Sequence, residues 1–211
     1  MSAAAFCVMR GSLYARHFKR AFDVAASVLG LVILSPVLLA VAGAIKILDP
    51  GPVFFSQTRA GRGATPFKIF KFRTMRVGGS GPQITSGADA RVTPLGRLLR
   101  RTKLDELPQL FNVLRGDMSV VGPRPEVPRY VELFKDDYKL ILSVKPGITD
   151  YAAIKYRDEE AVLGAYRDPD EGYVTEVLPA KIALYRRYIM EIGFATDLKI
   201  IFATASKIVA G

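Results

Sequence analysis

Histidine and cysteine are nearly absent from this chain, with only His17 and Cys7 among its 211 residues. One cysteine cannot form an intrachain disulfide and is consistent with a reducing compartment. One histidine, set between Arg16 and Phe18 ahead of an apolar run, reads as an interfacial side chain rather than a catalyst. Catalysis by Ser-His-Asp or Cys-His, and zinc sites needing several His or Cys, are excluded. Acids are scarce as well, but only in the first half. Residues 1–103 carry 16 Lys and Arg against Asp23, Asp49 and Asp89, whereas residues 104–211 carry 14 basic and 17 acidic side chains. Such asymmetry points to an anionic partner: lipid headgroups, a phosphorylated substrate or nucleic acid. The plain alternative is the positive-inside bias of segments beside a membrane helix.

Charge is missing altogether from Val24 to Ile45, 22 residues in a row. As helix they would rise roughly 33 Å, enough for a hydrocarbon core of about 30 Å. The run is too long for a cleavable signal peptide, and no small-residue cleavage site follows it. A simple span is the default, but two features oppose it. Ser35-Pro36 sits at the centre, where proline removes a backbone donor and kinks or breaks a helix. The Ser35 hydroxyl is available to satisfy a carbonyl so freed. Both flanks are also basic: Arg10, Arg16, Lys19 and Arg20 before the run, and seven Lys or Arg from Lys46 to Arg76 against Asp49 alone after it. A helix that enters, bends at Ser35-Pro36 and returns satisfies both flanks. On residues alone, spanning and re-entry stay open.

Asp49-Pro50-Gly51-Pro52 is a turn signal, and Val53-Phe54-Phe55 and Phe67–Phe72 read as short strands joined by an Arg59–Gly63 loop. Val77–Ala90 is rich in Gly and Ser and reads as a mobile loop. Helical spacing returns at Leu95, Leu98 and Leu99, then at Leu104, Leu107, Leu110, Phe111 and Leu114. Gly122-Pro123-Arg124-Pro125 reads as a rigid extended loop. Pro128–Leu142, Asp158–Ala165 and Pro179–Ile192 read as helices, with a turn at Lys145-Pro146-Gly147. The last stretch sets Leu198, Ile201, Phe202, Ala205, Ile208 and Val209 on one face. That face suits a core or, by a small margin, a membrane interface. No internal repeat is evident.

Three groups of residues carry chemistry. Asp105-Glu106 follows Arg100, Arg101 and Lys103, and its helix buries leucines on another face. Neighbouring carboxylates can share a divalent cation, and a carboxylate can attack phosphorus. The bland alternative is an exposed pair with local ion pairs. In Gly122–Pro125, two prolines hold Arg124 ready for bidentate contact with phosphate, unless this is a plain turn. Lys68, Lys71, Arg73 and Arg76 follow the anchor and would meet either substrate or lipid headgroups.

In order along the chain, Lys19-Arg-Ala-Phe-Asp23, Ser35-Pro36, Asp49-Pro-Gly-Pro52, Lys71-Phe-Arg-Thr-Met75, Leu104-Asp-Glu-Leu-Pro-Gln109, Gly116–Pro125 and Lys145-Pro-Gly-Ile-Thr149 resemble the monotopic phosphoglycosyl transferases. This is the bacterial sugar transferase family that starts glycan assembly on polyprenyl phosphate. The resemblance covers residues 19–149, and the set fits the short, single-domain type. It implies an α+β, mainly helical fold. Residues 1–48 would hold a re-entrant membrane helix hairpin broken at Ser35-Pro36. Residues 49–211 would form a cytosolic catalytic domain with a short β-hairpin and amphipathic interfacial helices.

The implied reaction moves a sugar 1-phosphate from a UDP-sugar to polyprenyl (undecaprenyl) phosphate, releasing UMP. Asp105 would be the nucleophile, forming an aspartyl phosphosugar, and Glu106 would help it organise Mg²⁺. Arg100 would hold a phosphate. Arg124 with Pro123 and Pro125 would face the nucleotide, and Lys71 would sit near the active site. Implied partners are the UDP-sugar, polyprenyl phosphate and membrane lipids, with downstream glycosyltransferases and no nucleic acid. The implied place is the cytoplasmic face of a bacterial inner membrane. Against this stand a non-enzymatic basic membrane scaffold and a one-step transferase without a covalent intermediate.

Overall fold

The computed structural model describes residues 13–78 and 89–209. Arg10, Cys7 and most of the expected Val77–Ala90 loop lie outside that range. A short π-helical turn, Tyr14–Phe18, leads into helix α1, Lys19–Leu48. The antiparallel pair β1, Phe54–Ala60, and β2, Pro66–Phe72, follows, with Phe54 opposite Phe72 and Ala60 opposite Pro66. Next come α2 (Pro94–Arg101), a 3-10 turn (Leu104–Glu106) and α3 (Gln109–Arg115). Strand β3 (Ser119–Val121), helices α4 (Pro128–Leu133) and α5 (Lys135–Ile141), and strand β4 (Gly147–Thr149) precede α6 (Tyr151–Lys155). The chain ends with α7 (Glu159–Gly164), α8 (Pro169–Gly172), a π-turn at Tyr173–Val177, α9 (Leu178–Glu191) and α10 (Phe194–Val209). The fold is thus mainly helical α+β with two small sheets.

Helix α1 is long and apolar enough to cross a membrane, with a mean hydropathy of 2.6. It does not break into two helices at Ser35-Pro36; helical backbone continues through Pro36. The physical reason is local. Proline leaves the Val32 carbonyl without its usual donor, and the Ser35 hydroxyl donates to that carbonyl at 2.8 Å. Both ends of α1 pack on the same body. Asp23 and Ser27 are buried near one end and Ile45 near the other, while Val32, Ile33, Ser35, Pro36 and Val37 between them are exposed.

Two clusters of side chains hold the body together near the site. Ile45, Phe72 and Leu99 join α1, β2 and α2, and Leu38, Val41 and Ala42 pack against them. Burying one such aliphatic or aromatic side chain is worth about 1.5–3 kcal/mol. Ile69, Val113 and Met118 join β2 to α3. The largest cluster lies in the C-terminal half, around the fully buried Tyr138, Tyr185, Tyr188 and Ile189.

Several boundaries differ from those read in the sequence. The hairpin strands are longer, and its turn is Gly61–Thr65. The expected helix across Leu104–Leu114 is two elements, a 3-10 turn set off from α2 by the left-handed Lys103 (φ 58) and a new helix that starts after Pro108. Phe134 divides Pro128–Leu142 into α4 and α5. In α10 the deeply buried residues are Asp197 and Ile200, outside the expected apolar face, whereas Phe202 of that face is exposed.

Candidate functional site

Asp105 reaches its position through a sharp change of chain direction. Helix α2 seats against the irregular segment after β2, where a Cβ on Gly96 would lie 2.1 Å from the Thr74 carbonyl, so only glycine fits. Thr93 caps α2 by accepting the Gly96 amide at 2.9 Å. The helix ends at Thr102, Lys103 turns left-handed, and the 3-10 turn carries Asp105 and Glu106 inward. This overturns the expectation of two carboxylates projecting from a continuous helix. Asp105 is 6% exposed, and its Oδ1 is buried without a hydrogen-bond partner among the described residues.

Glu106, by contrast, has both oxygens engaged. Arg124 Nη1 donates to its Oε2 at 2.9 Å and Nη2 to its Oε1, while Lys71 Nζ donates to Oε1 at 2.9 Å. This is the bidentate fork that guanidinium geometry favours. The resulting electrostatics separate the two acids. Burial, and then the neighbouring Glu106 charge, raise the Asp105 carboxyl to about 6. Burial also pushes Glu106 upward, but Arg124 and Lys71 outweigh it and hold that carboxyl well below the usual range. Burial lowers the Lys71 ammonium, with Glu106 opposing. A neutralised Glu106 beside a high-energy Asp105 carboxylate is an arrangement found at reactive sites.

The other expected residues divide into several groups. Arg100 lies beside the dyad, with Nε donating to Thr74 Oγ1 at 2.9 Å and Nη1 to Glu160 Oε1 at 2.5 Å. Pro123 and Pro125 frame Arg124, and the loop is tied further: the Arg124 amide donates to Asp150 Oδ2 at 2.8 Å, and Pro123 accepts the Gly147 amide at 2.9 Å. Of the basic strand, Lys71 faces Glu106. Arg73 is buried against Asp49, Arg76 is exposed at the groove and Lys68 faces away from it. Ser35 and Pro36 lie in the exposed part of α1, apart from the groove.

Sequence reasoning missed the residues that hold this arrangement. Asn112, fully buried, accepts the Phe70 amide at 2.9 Å and donates to the Lys68 carbonyl at 2.8 Å, fastening α3 to the strand that carries Lys71. Asp23 of α1 accepts from Ser119 Oγ at 2.9 Å and the Val120 amide at 3.0 Å. It thereby ties the apolar helix to the strand that leads into Arg124. Asp150 was passed over too. Asp23 and Asn112 fall within stretches singled out for other reasons, and Asp150 directly follows one, but nothing local names the partner that each finds.

Asp105, Glu106, Lys71, Arg100 and Arg124 line one groove of about 1100 Å³. Thirteen basic and six acidic side chains line it, so it attracts an anion larger than a single phosphate. Among the described residues, no group of three or more His, Cys, Asp or Glu is placed to hold a metal. A hard divalent cation commonly takes one or two carboxylates plus substrate phosphate oxygens. The open Oδ1 of Asp105 fits that mode, whereas Glu106 would have to release part of its cationic clamp.

A buried carboxylate set among arginines in a basic groove larger than one phosphate, on a body that also packs an apolar helix, is an arrangement suited to chemistry on a phosphorylated ligand. The chain belongs to the bacterial sugar transferase family, whose sequence model matches residues 14–211. It is 41% identical over 198 residues to the UDP-glucose:undecaprenyl-phosphate glucose-1-phosphate transferase of Escherichia coli K12, covering 91% of this chain and 40% of that protein. It is 37% identical to the UDP-N-acetylgalactosamine-undecaprenyl-phosphate N-acetylgalactosaminephosphotransferase of Aeromonas hydrophila, covering 92% of this chain and 44% of that protein. The exopolysaccharide production protein ExoY of Sinorhizobium fredii is 36% identical, with 88% and 83% covered. The chain therefore spans less than half the length of the first two relatives.

Proposed function

We propose that this chain transfers a sugar 1-phosphate from a UDP-sugar to polyprenyl phosphate, by way of a phosphosugar carried on Asp105. The single observation that carries this reading is the open, buried Oδ1 of Asp105 beside a Glu106 already neutralised by Arg124 and Lys71. Names of relatives from two organisms pair UDP-sugars with undecaprenyl phosphate, which supports the substrate classes.

In the first half-reaction an Asp105 carboxylate oxygen attacks the phosphorus that bears the sugar. The bond from that phosphorus to the bridging oxygen breaks, and UMP leaves with the electron pair. In the second, an oxygen of polyprenyl phosphate attacks the same phosphorus and expels the carboxylate, giving the polyprenyl-diphosphate sugar. The Asp105 carboxyl, held near 6, is mostly ionised at neutral pH yet poorly solvated, which favours attack. Arg124 and Arg100 position the diphosphate and offset its charge, an interaction that Glu160 and Glu106 occupy in their place here. Mg²⁺, held by Asp105 and the substrate phosphates with Glu106 nearby, would supply further charge neutralisation.

The membrane geometry that fits this chemistry is re-entry. Asp23 and Ile45, 22 residues apart on α1, both pack on the catalytic body and leave Ser35-Pro36 outermost. A helix held at both ends, continuous but bent at Ser35-Pro36, would dip into one leaflet and return, placing residues 49–211 on the cytoplasmic face beside lipid phosphates. Cysteine labelling at Ser2 and Ser56 tests this: equal accessibility from one side supports re-entry, and opposite accessibility overturns it. The activity itself is tested by UMP release from a panel of UDP-sugars with polyprenyl phosphate. Release that survives Asp105→Asn would sink the assignment.

A further inference from the structure

Gly116 ends α3 in a left-handed conformation, φ +92. A Cβ there would sit 3.5 Å from Lys145 Nζ and 3.6 Å from Arg20 Nη2, so two cations distant in sequence converge on bare backbone. Arg20 is fixed in place, donating from Nη1 to the Val113 carbonyl at 2.5 Å and from Nη2 to the Leu114 carbonyl at 2.8 Å. Those bonds already satisfy carbonyls in the last turn of α3, so capping this helix does not account for Lys145.

Lys145 has no ion pair or hydrogen bond among the described residues. The two acids that face it are engaged elsewhere. Asp23 is held by Ser119 and Val120, and Asp117 by Asn112 at 3.3 Å with Arg115 3.6 Å away. Arg62, exposed and without an ion-pair partner among the described residues, adds a third positive charge. Partial burial, with Arg20 and Arg62, lowers the Lys145 ammonium, as expected of cations gathered without an anion.

The place of this cluster selects its ligand. Arg20 is the second residue of α1, four positions before the uncharged run begins, where on the membrane geometry proposed above phospholipid headgroups would meet the first helical turn. None of Arg20, Arg62, Gly116 or Lys145 lines the Asp105 groove. We infer that Arg20 and Lys145 beside Gly116, with the charge of Arg62 added, form a site for the phosphate of an anionic phospholipid headgroup, separate from the catalytic groove. One anchored and one unpaired cation beside an open glycine match a phosphodiester, with the acyl chains running along α1.

Native mass spectrometry of the full chain in detergent micelles, titrated with dioleoylphosphatidylglycerol or dioleoylphosphatidylcholine, tests the site. One phosphatidylglycerol should be retained per chain in preference to phosphatidylcholine. Lys145→Gln should weaken that binding about tenfold, the loss of one charge-assisted contact. Lys139→Gln, which removes an exposed lysine paired with Asp136, should leave it unchanged. Equal retention of both lipids, wild-type affinity in Lys145→Gln, or an equal loss in Lys139→Gln would overturn the inference. So would inorganic phosphate binding where phosphatidylglycerol does not, which would mark a free-phosphate site. Should Lys145→Gln fail to fold, as read from its melting curve, Arg62→Gln on the exposed turn replaces it. A roughly threefold loss then supports the site, and wild-type affinity overturns it.

Discussion

Replacing Asp105 by Asn should abolish turnover and at the same time stabilise the protein. The Asp105 carboxyl is raised from its ordinary 3.8 to about 6, so ionising it costs more in the folded chain than in the unfolded one. That cost is absent below pH 3.8, grows as the pH rises to about 6 and is constant above. At about 1.4 kcal/mol per pH unit, the full cost is about 3 kcal/mol. Asn carries no charge and escapes it while keeping the shape of the side chain. For a chain of this size, about 3 kcal/mol corresponds to a rise in Tm of roughly 6–12 °C. Thermal denaturation of both proteins in the same detergent should show that gap at pH 7.5 and should show it closing at pH 4.5, where wild-type Asp105 is protonated. A variant no more stable than wild type at pH 7.5, or a gap that ignores pH, would refute the reasoning.

The same ionisation sets a pH profile: UMP release should fall about tenfold per pH unit below about 6, because only the carboxylate attacks. A profile flat from pH 7 to 5 would count against Asp105 as the attacking group. Glu106→Gln leaves Arg124 and Lys71 without their shared anion. It should lower kcat by about a hundredfold and cost roughly 2–4 kcal/mol, less than for a fully buried pair because both cations are partly exposed. Asp23→Ala leaves the Val120 amide and Ser119 hydroxyl without their acceptor, costing about 1–3 kcal/mol. Limited proteolysis should detect that loosening, and an unchanged digestion pattern would argue that Asp23 does not tie α1 to β3.

The apolar helix was legible because 22 uncharged residues leave few alternatives, and β2 because Phe67–Phe72 alternates apolar with basic side chains. Asp105, Glu106, Lys71, Arg100 and Arg124 were legible as motif positions, and they meet in one groove. The inward turn of Asp105 was not, since leucine spacing alone reads through Lys103 and Pro108 as one helix. Nor was the parallel pairing of β3 with β4, Ser119 opposite Gly147, because three-residue strands carry too short a pattern. Asn112, Asp23 and Asp150 escaped for another reason. A buried polar residue is placed by the partner it finds in three dimensions, and nothing in its sequence neighbours names that partner.

The central claim is the covalent step at Asp105. The purified chain should be incubated with a UDP-sugar labelled on the β-phosphate, without polyprenyl phosphate, then quenched and digested. The account predicts label and the mass of a phosphosugar on the peptide containing Leu104–Glu106, with UMP released in equal amount and no adduct in Asp105→Asn. UMP release that requires the lipid acceptor, with no adduct at any quench time, would contradict it.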